Sequence, residues 1–231
     1  MRVTRAAPAG DPALAPRELL ARVRWWIMLG GLALAYLAGL GVGLAVRAAG
    51  WWNAGAPWER AALALTHATI SPALDAVMLT LPWIGTNYTL LPLVAIAVIW
   101  MWRRRHPAEA LHLLLVQIGS AILNPALKFS LVRDRPHLFE QRGQFALPSF
   151  PSGHAIAVTA VVLTAAYLVH RLTGATWVYW LAGVFWLLVM YSRIYLSVHW
   201  PTDVIAGVVV GAVWLAATIA AFRPLEPPGR L

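Results

Sequence analysis

The sequence predicts an all-α fold: a polytopic membrane helical bundle with six transmembrane helices plus short interfacial helices. Three observations carry this. Of 231 residues, 60% are hydrophobic and only 12% charged, whereas a soluble domain of this length carries about a quarter charged residues. Apolar runs long enough to cross a bilayer recur along almost the whole chain, and the mean hydropathy is +0.67. Tryptophans and arginines gather where those runs end, as amphipathic side chains do at the headgroup level.

The elements follow in order. Residues 1–24 are polar and rich in Arg, Pro and Ala, and read as a poorly ordered cytoplasmic N-terminal segment. An apolar run follows Trp25-Trp26 and continues to Val46. At about 1.5 Å per residue it covers a full bilayer core. That is too long for a signal-peptide core, so it reads as a retained signal anchor. The predicted spans are 27–46, 88–102, 108–130, 154–170, 176–196 and 203–222. Together they form one membrane domain, 25–222. The stretch 57–82 holds Glu59, Arg60, His67, Pro72, Asp75 and Pro82 among apolar residues. It reads as two interfacial helices hinged near Ser71-Pro72, with a seventh span as the competing reading. Residues 223–231 are Pro-rich and read as a short cytoplasmic tail. Trp51, Trp52, Trp83, Trp100, Trp102, Trp177 and Trp200 are expected at span boundaries.

Charge orients the bundle. With six spans and a cytoplasmic N-terminus, eleven of the eighteen basic residues lie inside. The Arg103-Arg104-Arg105 cluster is the strongest inside marker. The net charge of +9 is then an excess of cytoplasmic Lys and Arg. The basic residues are scattered among helix ends, not gathered in one stripe, which excludes a nucleic-acid face. With no cysteine, disulfides, thiolate metal sites and a cysteine nucleophile are excluded.

Three short segments carry chemistry. They are Lys128 to Pro136, Pro151-Ser152-Gly153-His154, and Ser192-Arg193 followed by His199 and Asp203. Two crossings separate the loop of the first two from the loop of the third. All three therefore open on one face, which is extracytoplasmic if the N-terminus is inside. Lys128, Arg135 and Arg193 suit phosphate oxygens, the guanidinium as a planar fork and the ammonium as a mobile point charge. Taken singly, Lys128 and Arg135 would read as span-end anchors. Ser152 fits an N-cap, and Gly153 allows close approach to the amides of a helix start. His154 has no capping purpose. His199 and Asp203 are four apart around Pro201, so the carboxylate can reach back and set the imidazole tautomer. The motif loops hold only Asp134, Glu140 and Asp203 as acids, too few for a metal cluster, and no metal or other cofactor is predicted. Along the third span, His112, Gln117 and Asn124 are expected to face the bundle interior, satisfied by neighbours. His137 reads as loop. His67 and Asp75 are placed to shape a lateral entrance for lipid.

The pattern Lys-x6-Arg-Pro, Pro-Ser-Gly-His, Ser-Arg-x5-His-x3-Asp resembles the type 2 phosphatidic acid phosphatase family, bacterial membrane branch. All eleven fixed identities are present at the required offsets. The resemblance implies an integral membrane enzyme, with no metal, that hydrolyses a lipid phosphomonoester or pyrophosphate through a phosphohistidine. It implies His199 as nucleophile, Asp203 as its orienting partner and His154 as general acid. Lys128, Arg135, Ser152, Gly153 and Arg193 would hold the phosphoryl oxygens. Undecaprenyl pyrophosphate, phosphatidic acid, phosphatidylglycerophosphate and lipid A are candidate substrates. The expected partners are that lipid and the bilayer, with no nucleic acid and no obligate protein partner. The alternatives are a phosphotransferase using the same phosphohistidine, a lipid transporter or flippase, and the soluble vanadium haloperoxidase branch, against which six spans argue.

Overall fold

The computed structural model describes residues 16–143 and 147–225. The expectations for residues 1–15 and for the end of the tail, 226–231, lie outside the described residues. Every regular element described is helical: α1 (Pro16–Arg22), α2 (Trp25–Ala48), α3 (Pro57–His67), α4 (Pro72–Met78), α5 (Leu81–Ile84), α6 (Asn87–Arg103), α7 (Pro107–Ser130), α8 (Gly153–Ala157), α9 (Leu163–Thr173), α10 (Trp177–Tyr195) and α11 (Pro201–Phe222). A π turn, Val158–Val162, joins α8 to α9, making one rod from Gly153 to Thr173. A short 3-10 turn, Arg223–Leu225, ends the described chain.

Five helices are long and apolar enough to cross a membrane: α2, α7, the α8–α9 rod, α10 and α11. A further helix, α6, is apolar but shorter. The stretch 57–84 does not continue as a straight span. Its two halves are bent by 116° at the break between His67 and Pro72. Ser71 marks the hinge, accepting a hydrogen bond from the Leu74 amide at 3.4 Å, and Pro72 starts α4 without losing a needed donor. This bent pair forms an arm lying at one end of the bundle.

The passes share a core. Buried Ala35, Leu123, Leu127, Ile156, Val210 and Trp214 fill the space between α2, α7, the rod and α11. The Trp214 indole donates to the Val116 carbonyl at 3.0 Å, satisfying a buried N–H. The rod and α11 approach closely where Gly207 faces Ala155. A Cβ on Gly207 would stand 2.6 Å from the Ala155 Cβ and from the Ser152 carbonyl oxygen. Outward-facing residues such as Leu29, Leu37, Ile96, Trp180 and Leu187 are exposed, as expected of side chains that meet lipid rather than water.

Two expectations need correction. Residues 16–22 form a helix, and Leu19 and Val23 are buried. The Arg24 amide donates to the Ala221 carbonyl at 3.1 Å, pinning this end to α11. Of the boundary tryptophans, Trp83, Trp100, Trp102 and Trp177 are exposed, but Trp52 and Trp200 are buried, because they pack on a buried guanidinium.

Because the Gly207 site has no room, Gly207→Ala is expected to lower stability by about 1–3 kcal/mol. Gly183→Ala, whose Cβ would meet nothing within 4 Å, should leave it unchanged. Thermal unfolding in detergent, followed by tryptophan fluorescence, compares the two.

Candidate active site

The three motif segments meet at one end of the bundle, where α7 ends, the rod and α11 begin and α10 ends. Lys128, Arg135, Gly153, His154 and His199 line a single cavity of about 810 Å³. Its outer wall is apolar, with Leu79, Pro82 and Trp83 from the arm and Leu147 from the loop. Ser152, Arg193 and Asp203 stand behind these side chains, each with no exposed surface.

The cations are held by the backbone. The Lys128 ammonium donates to the Pro148 carbonyl and, at 3.4 Å, to the Ser149 carbonyl. Arg135 donates to the Val198 carbonyl and, at 3.0 Å, to Leu147. Burial lowers the Arg135 guanidinium from its ordinary range to about 10, opposed by the Asp203 charge, so it remains a cation at neutral pH. Arg193 donates to the Ser192 hydroxyl through Nε at 3.2 Å and Nη2 at 3.1 Å. Its Nη1 lies 3.5 Å from the His154 ring nitrogens.

The two histidines differ in setting. His154 Nε2 is 3.1 Å from the Pro82 carbonyl. A carbonyl only accepts, so that nitrogen carries the proton. His199 is buried at 3% exposure. Burial, with Arg135, Lys128 and Arg193 close by, holds its imidazole well below the ordinary range, so it is neutral at pH 7. His199 Nδ1 lies 3.5 Å from Asp203 Oδ2 and has no hydrogen-bond partner. The expected reach of Asp203 toward His199 is therefore present as proximity rather than as a closed hydrogen bond. Asp203 Oδ2 accepts from the Trp200 amide at 2.9 Å instead, finishing the first turn of α11.

Ser152 corrects a further expectation. It occupies the position before α8, but its side chain makes no cap. The hydroxyl is buried without a partner, while its amide donates to the Asp203 carbonyl at 2.9 Å. That backbone bond ties the second motif to the third. Along α7, His112 and Gln117 are buried as expected, and His112 stacks on Phe222 with ring centroids 4.4 Å apart. Both His112 ring nitrogens lack a hydrogen-bond partner, so the ring packs by stacking and the expected polar neighbours are not there. Asn124 lines the cavity beside Gly153, whose Cβ would stand 2.7 Å from the Asn124 amide nitrogen.

Sequence reading missed Arg133. This residue has 1% exposure. It donates to the Trp52 carbonyl through Nε at 2.9 Å, to Thr202 Oγ1 and Asp203 Oδ1 through Nη1, both at 2.7 Å, and to the Trp51 carbonyl at 3.0 Å and Glu59 Oε2 at 3.4 Å through Nη2. The Trp52 and Trp200 rings flank it at 5.4 and 5.2 Å. Glu59, fully buried, accepts from the Thr202 amide and hydroxyl at 3.0 and 2.6 Å and from the Ala56 amide at 2.8 Å. A sequence signal existed: Arg133 lies two residues before Arg135, inside a fixed-spacing segment. Nothing in the spacing says that it turns inward.

Residues 109–226 match the model of the PAP2 superfamily. The chain belongs to the PAP2 superfamily. An undecaprenyl-diphosphatase of Sulfolobus acidocaldarius is 30% identical over 62% of this chain and 68% of the relative. Phosphatidylglycerophosphatase B of Bacillus subtilis is 37% identical over 61% of this chain and 71% of the relative. The crystal structure of a transmembrane PAP2-type phosphatidylglycerolphosphate phosphatase from Bacillus subtilis superposes with a TM-score of 0.73. It is 28% identical and covers 86% of this chain and 98% of that one. This PAP2 chain is a multi-pass membrane protein and an enzyme of the phosphatase kind. Among the described residues, no group of three or more His, Asp or Glu is placed to hold a metal ion.

Besides the buried Glu59–Arg133 pair, a second ion pair holds the arm over the PAP2 cavity. Arg142 grips both oxygens of Asp75, and the Tyr195 hydroxyl donates to Asp75 Oδ1 at 2.6 Å. His67 stacks on Phe139 at 3.9 Å. The hydrogen bonds from Arg142 and Tyr195 draw the Asp75 carboxyl down from 3.8 to about 2. Because the folded value is depressed, the stabilisation is complete above about pH 4 and is lost as pH falls toward 2. The difference in melting temperature between wild type and Asp75→Asn is expected to be constant above pH 4 and to close below it. A pH series of melting curves checks this.

Proposed function

We propose that this PAP2 phosphatase hydrolyses a lipid phosphomonoester or diphosphate at the extracytoplasmic face, through a phosphohistidine on His199. One observation carries the reading. His154 and the buried His199 share a cavity with Lys128 and Arg135, Arg193 stands just behind them, and the other wall is apolar and belongs largely to an arm at the end of a membrane bundle. A phosphate headgroup fits the first part and an acyl or prenyl chain the second. The names of the relatives support a lipid phosphate as substrate. Undecaprenyl diphosphate is the first candidate, followed by phosphatidylglycerophosphate and phosphatidic acid.

The steps follow from the residues. His199 Nδ1 faces Asp203, which leaves Nε2 to attack phosphorus in line. The N–P bond forms as the P–O bond to the lipid breaks, and His154, protonated to the imidazolium beside the bound phosphate, gives one proton to the leaving oxygen and is left neutral. Water then attacks the phosphohistidine with His154 taking its proton. The N–P bond breaks and inorganic phosphate leaves. Lys128, Arg135, Arg193, the unpartnered Ser152 hydroxyl and the Gly153 amide hold the phosphoryl oxygens, and Asp203 stabilises the imidazolium character that develops. These fixed cations supply the charge stabilisation that a divalent ion gives elsewhere.

Charge supports the orientation. At the site end, Arg133 and Arg142 are paired with carboxylates. The opposite end carries the Arg103 to Arg105 cluster with Arg24, Arg171 and Arg223.

Purified protein is expected to release inorganic phosphate from at least one member of a lipid-phosphate panel, equally well in a chelator such as EDTA. His199→Ala should lose at least about a thousandfold in turnover and form no acid-labile phosphoenzyme. Near wild-type turnover in that variant would remove the nucleophile assignment. Since the chain has no cysteine, orientation is read separately. In intact cells an impermeant maleimide should label Leu138→Cys, and label Arg104→Cys only after lysis. The reverse pattern would overturn the extracytoplasmic assignment.

A further inference from the structure

Asp203 can aim His199 only if something aims Asp203. Its carboxylate is fixed on both oxygens, Oδ1 by Arg133 Nη1 at 2.7 Å and Oδ2 by the Trp200 amide at 2.9 Å. Only after these two bonds does Oδ2 face His199 Nδ1, at 3.5 Å. Arg133 is fixed in turn. A guanidinium has five N–H donors in a rigid fork, and here every one has an acceptor: the Trp51 and Trp52 carbonyls, Thr202, Asp203 and Glu59. Glu59 closes the circuit. Arg133 donates to the Thr202 hydroxyl, which donates to Glu59 Oε1, and Glu59 Oε2 accepts from Arg133.

We propose that Arg133 and Glu59 are positioning residues for the reaction, acting on His199 through Asp203, and that Glu59 makes the aim of His199 depend on the seating of the membrane-end arm. The proposal rests on His199 as the reacting group. Three features separate it from simple stabilisation of the fold. Arg133 lies outside the cavity lining, so it has no direct contact with substrate. Its contact with Asp203 uses the one carboxylate oxygen that does not face the histidine. Glu59 belongs to α3 of the arm, yet it accepts from the amide of Thr202, the residue immediately before Asp203 in α11. A shift of the arm therefore moves the first turn of α11. Lysine at position 133 would keep the charge but has no planar fork, and could not bind Asp203, Thr202 and two carbonyls together.

The test is a double-mutant cycle on the full-length enzyme in detergent with a lipid phosphate that wild type hydrolyses. Arg133→Lys is expected to lower kcat by about 100-fold, as a displacement near 1 Å of a reacting group does, while KM changes less than twofold. Glu59→Gln should lower kcat by about tenfold with the same split. In an Asp203→Asn background both substitutions should cost little more, because the residue through which they act is already lost. Equal fold-losses in the two backgrounds, or a raised KM with unchanged kcat, would overturn the proposal. Should Arg133→Lys not yield monodisperse protein, the cycle run with Glu59→Gln alone decides by the same criteria. A His199→Ala control that stays active defeats the nucleophile assignment itself, a failure distinct from additivity in the cycle.

Discussion

The site depends on one buried cation. Arg133 has no exposed side-chain surface and neither do its partners Glu59 and Asp203. Burying these charges is tolerable only because all five Arg133 donors are used and both oxygens of each carboxylate accept a hydrogen bond. Removing one partner of such a group typically costs about 3–5 kcal/mol. The guanidinium therefore dictates what comes near it. It gathers the carbonyls after α2, the start of α3 in the arm and the start of α11, with Trp52 and Trp200 closing its two faces. Gly55 permits this closure. It has φ of +67°, and a Cβ there would stand 2.2 Å from the Trp200 ring.

From that node the electrostatics divide into two sides. Behind His199, one guanidinium and two carboxylates leave a net negative charge. On the cavity side stand Lys128 and Arg135, with the buried Arg193 beside His154, their donors aimed largely at backbone carbonyls and at the Ser192 hydroxyl. A histidine between the two sides is held neutral by burial and by the cations in front. Phosphate entering the cavity meets donors that are already placed, so little reorganisation is needed as charge develops on the phosphoryl oxygens. The apolar wall of the arm supplies the other half of the recognition, and the Asp75–Arg142 pair holds that wall in place.

Much of this was legible in the chain. The long apolar helices follow from run length, and the hinge near Ser71-Pro72 from a proline that cannot continue a helix. The convergence of the three motifs follows from parity, since two crossings return the chain to the same end. Other features were hidden for a common reason. Trp52 and Trp200 sit near helix ends in the sequence, and an indole at a helix end normally meets headgroups. Here each instead covers Arg133, a contact made across more than sixty residues of chain. Ser152 looked like a cap by position, but its hydroxyl is left without a partner inside the site. Glu59 looked like a polar interruption in an interfacial helix and is the anchor between that helix and α11.

The sequence by itself determined the membrane class, the long apolar helices, the single end of the bundle at which the motifs meet and the residue types available to a phosphate. Those properties depend on local composition, helical rise and offsets, which a linear chain carries openly. Only the tertiary structure decided which arginine serves phosphate and which turns inward. Arg133 and Arg135 are two residues apart, with the same side chain and only Asp134 between them. Their roles diverge because the carboxylates that capture Arg133, Glu59 and Asp203, come from segments 74 and 70 residues away. A guanidinium goes where its five donors are satisfied, and those acceptors exist only once the arm and α11 have closed around it.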